Sequence, residues 1–313
     1  MSIRIVVDST ADVAQEIQKR LTVVPLNVSF GQETYIDGVT IDHREFYEML
    51  AESRVLPTTS QPSPEAYARV FEEAKAAGDE LVVLTVSSGI SGTYQSAMIA
   101  AQDYPENVYI VDSLNVAVAL GALAEYALEL VDRGMSAAEI AKELEAARED
   151  VVLLALLDTL ENLKKGGRIP PVLALAGSLL SLKPILWMKD GRLEMLGKGR
   201  GIKQGYGLLL KEIDALGGID FSKPFYAGYT GVSDASLEKF LESSSVVWEQ
   251  GGKACAKDAA VQRRGYACRP RCGGSWFFPQ EINLHCIQDT IPGQRKTSLP
   301  GIFDLNRMWK YNF

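Results

Sequence analysis

Short runs rich in valine and isoleucine alternate with stretches of helical periodicity along residues 1–157, and few architectures accommodate that pattern. Residues 3–7 read as a buried strand ending at Asp8-Ser9-Thr10, where a carboxylate and two hydroxyls suit a helix N-cap. A short helix is expected over 11–21 and a strand over 22–30. Helices follow at 46–52 and 64–77, the second opening with the cap Ser63 and Pro64 at its first position. Strands at 80–86 and 107–111 then alternate with helices at 92–102 and 116–133. A capped, charged amphipathic helix at 134–150 leads to a strand at 151–156. Strands joined through crossover helices pair in parallel, so the predicted class is α/β, a doubly wound parallel sheet.

The texture changes after Asp158. Asp190-Gly191 separates two apolar strand-like runs, 185–188 and 192–197, which is a hairpin signal. A helix over 204–216 and a strand over 224–229 complete a smaller α+β unit. The expected division is a Rossmann-like domain over 1–157, an α+β domain over 158–251 and an atypical tail over 252–313. A chain of 313 residues supports more than one unit, because single cores stop growing at about 250 to 300 residues.

Charge narrows the partners. The formal net charge is −8, and no dense run of Lys and Arg precedes Gln262, so nucleic acid is not an expected partner. The N-terminus runs straight into a strand without a charged-then-apolar leader, and the most apolar stretch, 170–188, is broken by Lys183 and Pro184. A cytoplasmic location is expected. All four cysteines, Cys255, Cys268, Cys272 and Cys286, fall beyond residue 250. With His285 they make a poor zinc set, since Cys-x3-Cys and an adjacent His-Cys do not reproduce finger spacing. No metal and no cofactor is expected.

Two hydroxyl-rich loops carry the clearest chemistry. Pro57-Thr58-Thr59-Ser60-Gln61-Pro62-Ser63 precedes one helix, and Ser87-Ser88-Gly89-Ile90-Ser91-Gly92-Thr93 precedes another. Both belong to the edge where strands end and helices begin, which is the ligand crevice of an open parallel sheet. Free N–H groups, a positive dipole end and neutral hydroxyls there suit an anion without any cation. The same residues serve as ordinary helix caps, and both readings stay open. Hydrolytic machinery is absent: His43, in Asp42-His43-Arg44-Glu45, reads as a solvated helix start, and no GxSxG elbow is present. GxGxxG and GxxxxGK[ST] are missing too. Asp8 and Asp112, at strand ends, read as caps or hinge contacts rather than metal ligands.

The order of motifs says more than any one of them. Asp8-Ser9-Thr10-Ala11-Asp12 comes first, then Pro25-Leu26, Tyr35-Ile36-Asp37-Gly38 and Thr59-Ser60-Gln61-Pro62-Ser63. Ser87 through Tyr94, Val111-Asp112-Ser113, Leu163-Lys164-Lys165-Gly166-Gly167-Arg168 and Lys183-Pro184-Ile185-Leu186 follow. This series resembles the bacterial DegV family from residue 1 to about 250. The resemblance implies a long-chain fatty acid such as palmitate held between two domains, in a binding protein that performs no chemistry alone. It places the carboxylate on Thr59 and Ser91, with Ser60 and Gly92 beside them. Some members of the family are the lipid-binding subunit of a fatty acid kinase. They present the carboxylate to an ATP-dependent partner subunit that makes an acyl phosphate for phospholipid synthesis, and transient membrane contact fits that role. Arg200 matches a surface arginine that assists the partner, although Gly201-Ile202-Lys203-Gln204 departs from the family's basic run. The apolar stretch 173–186 then has two readings, an acyl-tunnel wall or plain core. Each buried CH₂ contributes roughly 0.8 kcal/mol, so a tail of about fifteen methylenes offers on the order of 12 kcal/mol before entropy costs. The alternative is an α/β enzyme acting on a small phosphorylated or carboxylate metabolite.

The tail breaks the pattern. The family's usual ending is strand-rich and carries Gly-Thr-His…Gly-Pro-Gly, whereas this chain has Gly265-Tyr266-Ala267-Cys268-Arg269-Pro270-Arg271-Cys272-Gly273-Gly274. Read in a displaced frame with synonymous codons chosen freely, the segment spells Gly-Thr-His-Ala-Gly-Pro-Gly. We therefore expect a frameshift near residues 250–252, which an uninterrupted nucleotide sequence encoding the same tail would overturn.

Overall fold

The computed structural model describes residues 2–53, 55–169, 182–231 and 233–249. The chain opens with β1 (Ile3–Asp8), a one-turn α1 (Gln15–Gln18) and β2 (Thr22–Val24). Next come β3 (Asn27–Phe30), β4 (Glu33–Ile36), α2 (His43–Glu52), β5 (Thr58–Ser60) and α3 (Pro64–Ala77). The alternation resumes with β6 (Glu80–Thr85), α4 (Thr93–Ala101), β7 (Val108–Asp112), α5 (Ala117–Asp132) and α6 (Ala137–Ala147). The second part holds β8 (Leu154–Leu156), α7 (Glu161–Gly166), β9 (Leu182–Lys189) and β10 (Arg192–Arg200). Three helices follow: α8 (Gly201–Ala215), α9 (Ala235–Ser243) and α10 (Ser245–Glu249).

Four strands form a parallel sheet in the order β2-β1-β6-β7, flanked by helices, as the alternation predicts. Leu81 to Leu84 of β6 are fully buried, the near-continuous apolar run that a sheet covered on both faces requires. Tyr67 and Phe71 of α3 pack with Ala97 and Ala100 of α4 on one face. The opposite face meets the apolar α5 and the buried side of the amphipathic α6, and that core continues without a break into Leu186, Met188 and Leu193 of β9 and β10. The hairpin expected at Asp190-Gly191 is present in an antiparallel sheet ordered β10-β9-β8. Both turn residues have positive φ, 48° and 73°, as a two-residue turn matched to strand twist demands.

Several local expectations change in the folded chain. The helix expected over 11–21 shrinks to one turn, because Ala11 bridges to Ala117 and the Asp12 N–H donates to the Ala117 carbonyl at 3.3 Å. The strand expected over 22–30 is two strands. Pro25 offers no ladder donor, and the Leu26 N–H turns to the Ser9 hydroxyl at 3.0 Å. The chain past Pro25 therefore leaves the parallel sheet and builds a separate antiparallel one, β4-β3-β5. The strand expected at 151–156 is only Leu154–Leu156, and it pairs with β9 instead of the parallel sheet. Residues 224–229 form no strand; only Tyr229 makes a single β-bridge, and Pro224 again removes a donor at the start. Most of the 173–186 stretch, the tail 252–313 and all four cysteines lie outside the described residues.

Candidate functional site

The two hydroxyl-bearing segments meet by different means. Thr58-Thr59-Ser60, expected in a loop, is strand β5, held opposite β3 with Val28 facing Thr59. Register therefore sets the direction of each side chain: Thr59 is half-buried, and Thr58 and Ser60 are exposed. The Asn27 amide donates to the Ser60 hydroxyl at 3.3 Å.

The other segment leaves the C-terminal end of β6 and is tied down residue by residue. The Asp8 carboxylate, fully buried, accepts from the Val86 N–H at 2.6 Å and from the Thr10 N–H and hydroxyl at 2.9 and 2.5 Å. Asp112 accepts from the N–H groups of Ser88 and Leu114. Both carboxylates thus organise loops. Among the described residues no three His, Cys, Asp or Glu side chains lie close enough to hold a metal ion. Beneath them the Tyr67 phenol is pushed well above its ordinary pKa, chiefly by burial and then by the negative charge of Asp8. It stays a neutral group.

The Ser87 hydroxyl donates to the Gly191 carbonyl at 2.7 Å and accepts from the Gly89 N–H at 3.1 Å. The β9–β10 turn is thereby pinned to the loop carrying Ser91. Gly92 stands at the N-cap of α4, and a Cβ there would fall 2.1 Å from Gln61 Oε1. Gln61 in turn donates from Nε2 to the Ser96 hydroxyl at 2.9 Å. The segment after β5 and the first turn of α4 are locked together through this amide.

Thr59, Ser60, Ser91 and Gly92 line one cavity of about 340 Å³. Leu26, Ile90, Gln61 and Arg168 complete its wall. The first four are the binding candidates named from the sequence, and the structure brings them to one cavity; Leu26, Gln61, Ile90 and Arg168 were not among those candidates. Arg168 is half-buried and donates from Nη1 to the Gly166 carbonyl at 2.6 Å, one residue past the left-handed cap Gly167 that ends α7. Its signal was Gly-Gly-Arg closing a short helix, which aims an arginine without showing at what. Arg200 does not line the cavity. It is exposed at the start of α8, where its N–H donates to Gln204 Oε1 at 2.5 Å. His43 is no solvated helix start. It is half-buried, with Nε2 3.1 Å from the Gly231 carbonyl and its ring edge-on to Tyr47. A carbonyl only accepts, so that nitrogen carries the hydrogen.

Fold and site together define an α/β binding protein, with a hydroxyl-lined pocket, bordered by Arg168, between β5 and the loop that leaves the C-terminal end of β6. The chain belongs to the DegV family: the family model described as "Uncharacterised protein, DegV family" matches residues 2–226. A DegV domain-containing protein of Deinococcus radiodurans is 38% identical over 215 residues, covering 68% of this chain and 76% of that one. Among solved structures, a fatty-acid-binding DegV family protein from Thermus thermophilus is 35% identical with a TM-score of 0.68, covering 78% of this chain and 89% of that chain. The fatty acid kinase B3 protein of Streptococcus pneumoniae, loaded with linoleic acid, is 25% identical with a TM-score of 0.66, covering 78% and 88%. No helix among the described residues is long and apolar enough to cross a membrane.

Proposed function

We propose that this protein binds one long-chain fatty acid between its two domains, its carboxylate on Thr59 and Ser91 and its tail running inward from the cavity that they line. The observation that carries the reading is the shared cavity: two hydroxyls from separate segments face one space, with Ser60 and Gly92 beside them. Leu26 and Ile90 give that space apolar walls from which a tail departs. The tail supplies affinity at roughly 0.8 kcal/mol per buried CH₂, and the hydroxyls satisfy a headgroup that would be costly to bury unpaired. The solved relatives that carry fatty acids support this reading. In it the protein is a non-catalytic carrier without a cofactor, working in the cytoplasm. It hands its cargo to an ATP-dependent kinase subunit, and exposed Arg200 faces that partner. The hydroxyls hold the carboxylate firmly enough to bind it and leave it available for transfer, with the Arg168 side chain in the wall of the same cavity.

Native mass spectrometry of the purified chain tests the reading, with a copurified long-chain acid as the expected result. An empty protein that turns over phosphate esters would instead favour the metabolite enzyme. Thr59→Ala with Ser91→Ala removes both donors and should weaken fatty-acid affinity on the order of a hundredfold. Unchanged retention would refute their role.

A further inference from the structure

Thr93 opens α4 and is completely buried. Its hydroxyl lies 2.9 Å from the Ser91 hydroxyl, and its N–H donates to the same Ser91 oxygen at 3.3 Å. Ser91 is the sole hydrogen-bond partner of the Thr93 hydroxyl among the described residues. Two directions are open to the hydroxyl pair, and burial chooses between them. Were Ser91 the donor, the Thr93 hydrogen would be stranded in the interior at the full desolvation cost of an unmade hydrogen bond. With Thr93 as donor, both of its hydrogens are satisfied. The Ser91 oxygen then accepts twice, from the N–H and the O–H of Thr93, which uses both lone pairs of a hydroxyl. One hydrogen remains on Ser91, and Ser91 lines the cavity.

We infer that Thr93 is a positioning residue that turns Ser91 into an obligate donor and so selects an acceptor-only anionic headgroup, a carboxylate, over one that must itself donate. The inference rests on the fatty-acid reading above and extends it from cargo to headgroup discrimination. A charged acceptor strengthens the Thr93–Ser91–ligand chain more than a neutral one does. A headgroup hydroxyl gains less, since its own hydrogen finds no lone pair on Ser91.

The test uses the full chain stripped of bound lipid, with palmitate and hexadecanol as ligands sharing one tail. Thr93→Val keeps the branched shape and removes the donor. It should lower palmitate affinity about tenfold and change hexadecanol affinity by less than about twofold. Thr93→Ser should restore the preference, and Thr93→Ala carries the same expectation as valine if the valine variant melts early. Equal losses for both ligands, or no loss for palmitate, would overturn the inference and leave Thr93 a packing residue. Failure of the wild-type chain to bind palmitate would overturn the fatty-acid reading itself, a different and separable result.

Discussion

A single methyl group at Gly92 would collide with the Gln61 carboxamide, whose oxygen lies 2.1 Å from where the Cβ would stand. The amide can swing away only by giving up its bond to Ser96. Gly92→Ala should therefore lower stability by about 1 kcal/mol in urea unfolding and loosen the spacing of Thr59 and Ser91, seen as faster release of bound acid. Asp79 shows a residue-scale effect of the opposite kind. The Ser2 hydroxyl and N–H, followed by the Arg4 guanidinium, hold its carboxyl at about 2, below the ordinary 3.8. A carboxyl depressed on folding stabilises the native state above its ordinary value, and that contribution disappears as pH falls from near 4 toward 2. Asp79→Asn should flatten the fall in thermal midpoint across that window, and an unchanged slope would count against the assignment.

Between elements, the β9–β10 turn is the joint that reaches the site. Gly191 has φ of 73°, and a Cβ on it would lie 2.6 Å from the Ser87 hydroxyl oxygen. Gly191→Ala should cost roughly 1–2 kcal/mol in backbone strain and also detach Ser87 from its carbonyl. The expected readout is a lower thermal midpoint together with weaker palmitate binding. Stability alone changing would separate the turn from the loop. Element identity was largely legible in the sequence: Ser63-Pro64 and the Ser136/Glu139 capping box start α3 and α6 where turn chemistry says they should. Element partnership was not. Nothing local to Thr58-Thr59-Ser60 states that β3 lies beside it, because a three-residue strand exists only through its ladder.

At the scale of the molecule, one apolar core runs from α5 and α6 through to β9 and β10, and polar contacts tie residues 223–231 to α5 and α2. Lys223 Nζ lies 4.1 Å above the Tyr126 ring and donates to its hydroxyl at 2.9 Å, while that hydroxyl donates to Glu143 at 2.9 Å. Tyr226 pairs with Glu125, and His43 reaches the Gly231 carbonyl. Tyr126→Phe keeps the ring beneath the ammonium and deletes the hydroxyl, so it should lower the urea midpoint by an amount equal to about 1 kcal/mol with an unchanged slope. A reduced slope would show that residues 220–231 come away from α5 before the rest unfolds.

Periodicity and turn chemistry are local, and from them alone the chain's α/β class, its Asp190-Gly191 hairpin and its capped helices could be read, while the family came from the resemblance of its ordered motifs. The split at Pro25, the strand character of Thr59 and the arrival of Gln61 and Arg168 at the cavity wall could not. Each depends on which distant backbone a segment pairs with, or on where a turn aims a side chain once everything around it has packed. Hydroxyls that read as helix caps become a pocket only when two such segments are folded against the same space.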